Sequence, residues 1–141
     1  LDRVNVVLDR VNLQNANKKF PAELSGGMQK RVAIARAIVM NPKYLFCDEP
    51  NSGLDPQTAT VIDNLIQEIT KEYNIITIIN SHDMNSVMEI GEKIIFLKDG
   101  IKAWEGSNKE MFKTENEAVV EFVYSSNLFK KVREAYLNET K

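Results

Sequence analysis

Residues 44–83 read YLFCDEPNSGLDPQTATVIDNLIQEITKEYNIITIINSHD, and this stretch decides the fold. Tyr44 to Cys47 is an apolar run too brief for a helix, closed by Asp48, Glu49 and Pro50 as a buried strand would be. Asp55 and Pro56 make a helix start, an acceptor at the N-cap and proline in the first turn. Ile62, Leu65, Ile66, Ile69 and Tyr73 mark the face that this helix buries. Ile75 to Ile79 is β-branched throughout and apolar on both faces, which predicts a central parallel strand. In a parallel sheet with right-handed crossovers, ligands bind just beyond the carboxyl ends of the strands. Asp48-Glu49-Pro50 and Ser81-His82-Asp83 therefore fall on one rim.

Upstream, Val4, Val7, Leu8 and Val11 fall at helical spacing in a short amphipathic segment that fades at 12–17. A second helix is predicted from about Gly26 to Met40, with Met28, Val32, Ala35 and Val39 on its apolar stripe and Asn41-Pro42 ending it. Downstream, a short helix over 84–90 precedes a hairpin with arms at 93–98 and 101–104, turned by Asp99-Gly100. The third strand is expected in the same parallel sheet. From Ser107 on the pattern is helical, with one break at 125–127. Its apolar positions, Val119, Val123, Phe129, Val132 and Tyr136, suit a helical pair packed on its own domain; a regulatory or dimer-contact extension is the functional alternative. No linker or internal repeat divides the chain, which predicts one domain or one large piece of one.

Four short clusters carry chemistry. Ser25 is placed as an N-cap, and Gly26 and Gly27 leave the first turn of the following helix bare, where unpaired N–H groups and the helix dipole suit a phosphate oxygen. Alone, this is also how an ordinary capped hinge reads. Asp48 and Glu49 point in different directions at a strand end. One carboxylate can hold a hydrated Mg2+ while the other faces a water; two solvated acids are the plain alternative. His82, the one histidine, follows the second strand and reaches the same rim as Glu49, whereas a lone histidine elsewhere is usually a packing or surface residue. Ser52-Gly53-Leu54-Asp55 reads by itself as a turn and a helix cap.

Composition narrows the classes. The chain has 141 residues, 18 basic and 20 acidic, for a net charge of −2. That balance removes the electrostatic case for a dedicated nucleic-acid binder. Cys47, the one cysteine, makes no internal disulfide and points to a reducing compartment. No apolar run approaches the roughly 18 residues of a membrane span, and no leader opens the chain, so the expectation is a soluble cytoplasmic protein. A start at Leu1 rather than Met leaves room for a removed N-terminal portion.

In combination the clusters become specific. LSGGMQKR, YLFCDEP, SGLD and SHD occur in that order, with Asp48 placed 23 positions after Ser25 and His82 placed 34 after Asp48. This resembles the C-terminal part of an ATP-binding cassette (ABC) ATPase over roughly residues 20–106. The resemblance implies an α/β, three-layer P-loop NTPase fold, with ATP and Mg2+ as cofactors. By it, Ser25, Gly26, Gly27 and Gln29 belong to the signature motif that meets the nucleotide on an opposite subunit. Asp48 acts on Mg2+, Glu49 is the general base or orients the attacking water, Ser52 to Asp55 form the D-loop, and His82 is the switch histidine. Met28 stands where many members have glutamine; importer-like members often carry methionine there.

G-x-x-x-x-G-K-[ST] is absent: none of the six glycines precedes a Lys-Ser or Lys-Thr pair. The resemblance thus implies an incomplete fold whose P-loop strand belongs between the strand ending at His82 and the strand at 93–98. From this follow three expectations: very weak ATP binding and no turnover by these residues alone, a gap in the sheet, and oligomerisation or rearrangement through the unpaired edges. The domain expectation is the end of a helical subdomain with the signature helix (1–41), a core and hairpin (42–106) and a helical extension (107–141). The implied working unit is a dimer of ATPase subunits on membrane permease subunits, at the inner face of the cell membrane and without nucleic acid. Overall similarity suggests a lipid-transport importer; a small-solute importer, a soluble DNA-repair or translation ATPase and an inactive interaction fragment are the alternatives.

Overall fold

The computed structural model describes residues 2–139, with nothing described of the side chain at 139. The chain parts between His82 and Asp83 into two compact units, each with its own core.

The first unit opens with α1 (Asp2–Arg10), a single 3-10 turn at Pro21–Glu23, and α2 (Gly26–Ile38). Asn41 at φ 49° closes α2 in the left-handed conformation that asparagine tolerates best among non-glycine residues. Strand β1 (Tyr44–Asp48) leads through the cap at Asp55 into α3 (Pro56–Glu72), and Asn74, also left-handed, turns the chain into β2 (Ile76–Asn80). β1 and β2 pair in parallel with Tyr44 opposite Ile76, Phe46 opposite Ile78 and Asp48 opposite Asn80.

Ile62, Leu65, Ile66 and Ile69 of α3 are buried as their spacing predicts, together with Val7, Leu8, Val11, Leu13, Leu45 and Ile75. Two expectations are corrected here. The buried centre of α2 is Ile34, Ala35 and Ile38, with Met28, Val32 and Val39 only partly covered. The packed stripe is thus rotated from the predicted one, since Ile34 and Ile38 are both fully apolar and one turn apart. β2 is apolar on both faces in sequence, yet Ile76 and Ile78 are 58% and 52% exposed, beside Tyr44 at 57% and Phe46 at 71% on β1. One face of the pair packs on the helices; no described residue covers the other.

The second unit holds α4 (Met84–Ile90), the antiparallel hairpin β3 (Ile94–Lys98) and β4 (Ile101–Gly106), and helices α5 (Asn108–Lys113), α6 (Glu117–Val123) and α7 (Asn127–Glu139). Asp99 and Gly100 both have positive φ, 53° and 78°, as a two-residue turn matching strand twist requires. The tail breaks twice, not once: Thr114 to Asn116 separates α5 from α6 because the Asn116 carboxamide oxygen caps the Val119 amide. Ile94, Met111, Val119, Val123 and Tyr124 form the core of this unit.

β3 was expected beside the parallel strands. Among the described residues β2 pairs only with β1 and β3 only with β4, so the sheet is in two pieces. The fold is α/β and incomplete, as the missing P-loop strand implies.

Candidate functional site

The carboxyl ends of β1 and β2 gather the chemistry of the first unit. Asp48 ends β1 and stands opposite Asn80, whose carboxamide donates to Asp48 Oδ1 at 2.7 Å. Glu49 then turns the chain with φ 47°, a left-handed conformation uncommon for a side chain of this size. Its amide donates to the Asn80 carbonyl at 2.9 Å and continues the ladder by one bond.

From that turn the Glu49 carboxylate reaches across to the end of β2. Oε1 accepts the His82 backbone N–H at 3.1 Å and lies 2.7 Å from His82 Nδ1. A neutral His82 donating from Nδ1 presents Nε2 as an acceptor, and the imidazolium presents it as a donor. The imidazole is 78% exposed and the Glu49 side chain only 29%. Glu49 Oε2 is buried and has no hydrogen-bond partner among the described residues. A buried carboxylate oxygen without a donor is costly, so the geometry leaves one strong acceptor position to be filled by a ligand or water.

The turn after Glu49 is held from two sides. Asn51, 5% exposed, donates its carboxamide to both oxygens of Asp63, 3% exposed, at 3.3 and 3.2 Å. Lys30 of α2 donates to the Glu49 carbonyl at 3.1 Å and to Ser52 Oγ at 3.3 Å. Asp55 caps α3 by accepting the Thr58 amide at 3.0 Å and the Thr58 hydroxyl at 2.5 Å. The Thr58 hydroxyl, followed by its amide, holds the Asp55 carboxyl below the usual range.

At the start of α2, Ser25 Oγ accepts the Met28 amide at 3.3 Å. The carboxamide of Gln29 turns back onto the carbonyls of Pro21 and Leu24 at 3.1 and 3.2 Å, bracing the loop before the helix. A Cβ on Gly26 would lie 3.4 Å from Leu54 Cδ2, and one on Gly27 only 2.8 Å from Thr58 Cγ2. The Ser-Gly-Gly segment therefore lies against Leu54 and Thr58, and Gly27 is glycine because the start of α3 comes this close. Cys47, beside the acids in sequence, points the other way; burial pushes its thiol up to about 11.

Glu49 and His82 are thus brought together at the β1 exit, while Ser52 bonds Lys30 and Asp55 bonds Thr58 in the turn that follows. Asn80, Lys30 and the Asn51–Asp63 pair went unassigned in the sequence. Asn80 had a signal, a polar residue ending an apolar strand; Lys30 had only its place inside LSGGMQKR.

The donor set fits Mg2+ in the way one carboxylate can. Asp48 offers a single carboxylate with one oxygen held by Asn80, and no cluster of three or more ligating side chains occurs among the described residues. Mg2+ commonly takes one or two protein carboxylates with waters and phosphate oxygens, so the single carboxylate of Asp48 fits such a site as one ligand and does not by itself cage the ion.

Residues 1–52 match the family described as ABC transporter. The chain is homologous to the ATPases of ABC transporters. Among its relatives, Methionine import ATP-binding protein MetN of Campylobacter jejuni is 41% identical over 125 residues, which cover 89% of this chain and 37% of the relative. MetN of Clostridium tetani is 42% identical over 111 residues, 79% of this chain and 35% of the relative. The chain thus spans little more than a third of the length of these curated relatives. Among solved structures, an inward-facing conformation of a putative metal-chelate type ABC transporter aligns over 87% of the chain and 48% of its own, with TM-score 0.77 and 25% identity. A dimeric ATP-binding cassette in a post-hydrolysis state with ADP and Pi aligns over 76% and 46%, with TM-score 0.66 and 35% identity. No described helix is long and apolar enough to cross a membrane.

Proposed function

We propose that these residues form the water-orienting and signature-bearing part of an ATP-hydrolysing subunit that drives import of a small solute. The carrying observation is Glu49: a left-handed residue whose carboxylate is fixed by His82 through one oxygen while the other is buried without a donor. The expectation of a lipid cargo finds no support among the relatives, which are named as methionine import proteins; their names favour the small-solute reading.

Bound Mg-ATP would supply the γ-phosphoryl group and a cation that spreads its charge. Glu49 Oε2 accepts a hydrogen bond from a water and takes up its proton as the water is consumed. His82, anchored to Glu49 through Nδ1, contributes its imidazole on the phosphate side. Asp48 would hold the cation directly or through water. Ser25, Gly26 and Gly27 present bare backbone N–H groups at a helix start, the arrangement that receives an anionic oxygen. Gln29 braces that loop, and Ser52 and Asp55 shape the segment that follows the acidic rim.

No residue here cradles the β- and γ-phosphates, so the 141 residues alone bind ATP very weakly and do not turn it over. The gripping loop, the second ATPase subunit and the membrane permease are partners of this part, which works at the inner face of the membrane.

The test is Glu49→Gln in the natural polypeptide that contains these residues. The amide keeps the shape and cannot take the proton, so hydrolysis falls by about two orders of magnitude or more while ATP binding stays within about threefold. Near wild-type hydrolysis would end the assignment. Titrating the 141-residue chain with Mg-ATP should show no micromolar binding; tight binding would refute the division of labour.

A further inference from the structure

Lys30 stands in the second turn of α2, half-buried, and spends its cation on neutral partners. Among the described residues its ammonium forms no ion pair; it donates to the Glu49 carbonyl at 3.1 Å and the Ser52 hydroxyl at 3.3 Å. A charged donor on a neutral acceptor makes a stronger bond than a neutral donor does. The Glu49 carbonyl also accepts the Ser52 amide at 3.2 Å, so both of its lone pairs are engaged. These bonds fall on a residue at φ 47°, where a non-glycine backbone is strained and persists only if its surroundings hold it.

We propose that Lys30 is a positioning residue, holding the Glu49 peptide in its left-handed turn so that the carboxylate reaches His82 and keeps Oε2 aimed away from it. This rests on the reading of Glu49 as the water-orienting group. Release of the Glu49 carbonyl lets φ return to the common negative region, and the whole side chain swings off the end of β2. The ammonium touches no reacting atom in this arrangement: it acts on the backbone of the residue that does. It also ties the helix that begins at Ser25 to the turn that carries Glu49, so a displacement of one is felt by the other.

The natural polypeptide containing these residues carries the test, with Lys30→Met and Lys30→Arg compared. Methionine keeps the stem and helix propensity and removes the donor. Lys30→Met should lower kcat about tenfold or more with KM for ATP changed less than about twofold, and Lys30→Arg should recover most of the loss. Amide exchange at Ser52, read without nucleotide, should speed up about fivefold or more in Lys30→Met and return in Lys30→Arg. A kcat within about twofold of wild type, or an unchanged Ser52 amide, overturns the proposal. An inactive wild type showing the expected amide response refutes the hydrolase reading and supports the clamp.

Discussion

Gly27→Ala sets two effects of known size against each other. A methyl group in place of glycine in a helix ordinarily stabilises by about 0.5–1 kcal/mol, because the unfolded chain has less freedom to lose. At Gly27 the new Cβ would sit 2.8 Å from Thr58 Cγ2, 0.6 Å inside the 3.4 Å where ordinary contact begins. Thr58 cannot turn away without cost, since its hydroxyl and amide both bond the Asp55 carboxylate that caps α3. Overpacking of this kind costs about 1–3 kcal/mol, so Gly27→Ala should be destabilising by about 1–2 kcal/mol net. Thr58→Ser removes Cγ2 and keeps the hydroxyl, so the double variant should regain most of that loss. Gly26→Ala is the control: its Cβ meets Leu54 Cδ2 at 3.4 Å, ordinary contact, and the variant should be as stable as wild type or better.

Urea unfolding followed at the Ile34 and Ile62 methyl resonances reads the first unit directly. Wild type, Gly27→Ala, Thr58→Ser and the double variant close a double-mutant cycle. A favourable coupling of about 1 kcal/mol or more between the two substitutions is the expected outcome. Gly27→Ala as stable as wild type, or a cycle with no coupling, would refute the account of why a glycine is needed at the second position of the helix.

Two further outcomes follow from ionisation. Burial raises the Cys47 thiol from 9.0 to about 11, and the thiolate is the nucleophile, so iodoacetamide at about pH 8 should alkylate it roughly a hundredfold more slowly than a free cysteine. The rate should climb between 9.0 and about 11 as the folded protein loses the proton it holds more tightly than the unfolded chain, and stability should fall over the same window. Alkylation at the rate of a free thiol would sink this. Glu105, on the surface of the second unit, is drawn from 4.5 to about 2 by hydrogen bonds from Lys102 first and Lys93 next, at 2.6 and 2.7 Å. Its folded value is depressed, so its contribution is present above about 4.5 and lost as pH falls toward 2. That contribution is small and weakened by salt, because the pair is exposed. Carboxyl NMR titration should place Glu105 near 2 and return it toward 4.5 in Lys93→Met/Lys102→Met; a wild-type titration near 4.5 would refute it.

Periodicity is most readable where one face alone is buried. The Asp55-Pro56 start and the Ile62 to Ile69 stripe of α3 are legible because a cap, a proline and a 3.6-residue spacing all point to one helix. β2 is the opposite case: its β-branched apolar run carries no sign of which face is covered, and in this chain Ile76 and Ile78 are not. The pieces of the site differ likewise. Glu49 and His82 are legible as strand-end residues, and the structure brings them together. The left-handed backbone at Glu49 is not legible, since glutamate has no preference for it and only Lys30, Asn80 and the tail of the turn hold it there. Asn51 was hidden for another reason. Its partner Asp63 sits twelve positions on, on a helix face that reads as solvent-exposed until the turn folds over it.

The bare face of the β1–β2 pair bears on the proposed function. Alternation in a strand puts Tyr44, Phe46 and Asp48 on one side of β1, and the register puts Ile76, Ile78 and Asn80 beside them on β2. The apolar face therefore runs without interruption into the carboxylate of Asp48 and the carboxamide that holds it. Four exposed large apolar side chains in a row are not a stable solvent surface, since hydrophobic burial is worth about 25 cal/mol per Å2. A segment that covered them would pack against β1 and β2 beside Asp48, where the proposed cation belongs. Covering the face and completing the proposed nucleotide site would then be one structural event. Substituting Phe46 or Ile78 by a polar residue should accordingly weaken nucleotide binding in the natural polypeptide, read by titration with Mg-ATP, although neither side chain touches the rim. Unchanged affinity in both variants would separate the apolar face from the nucleotide site.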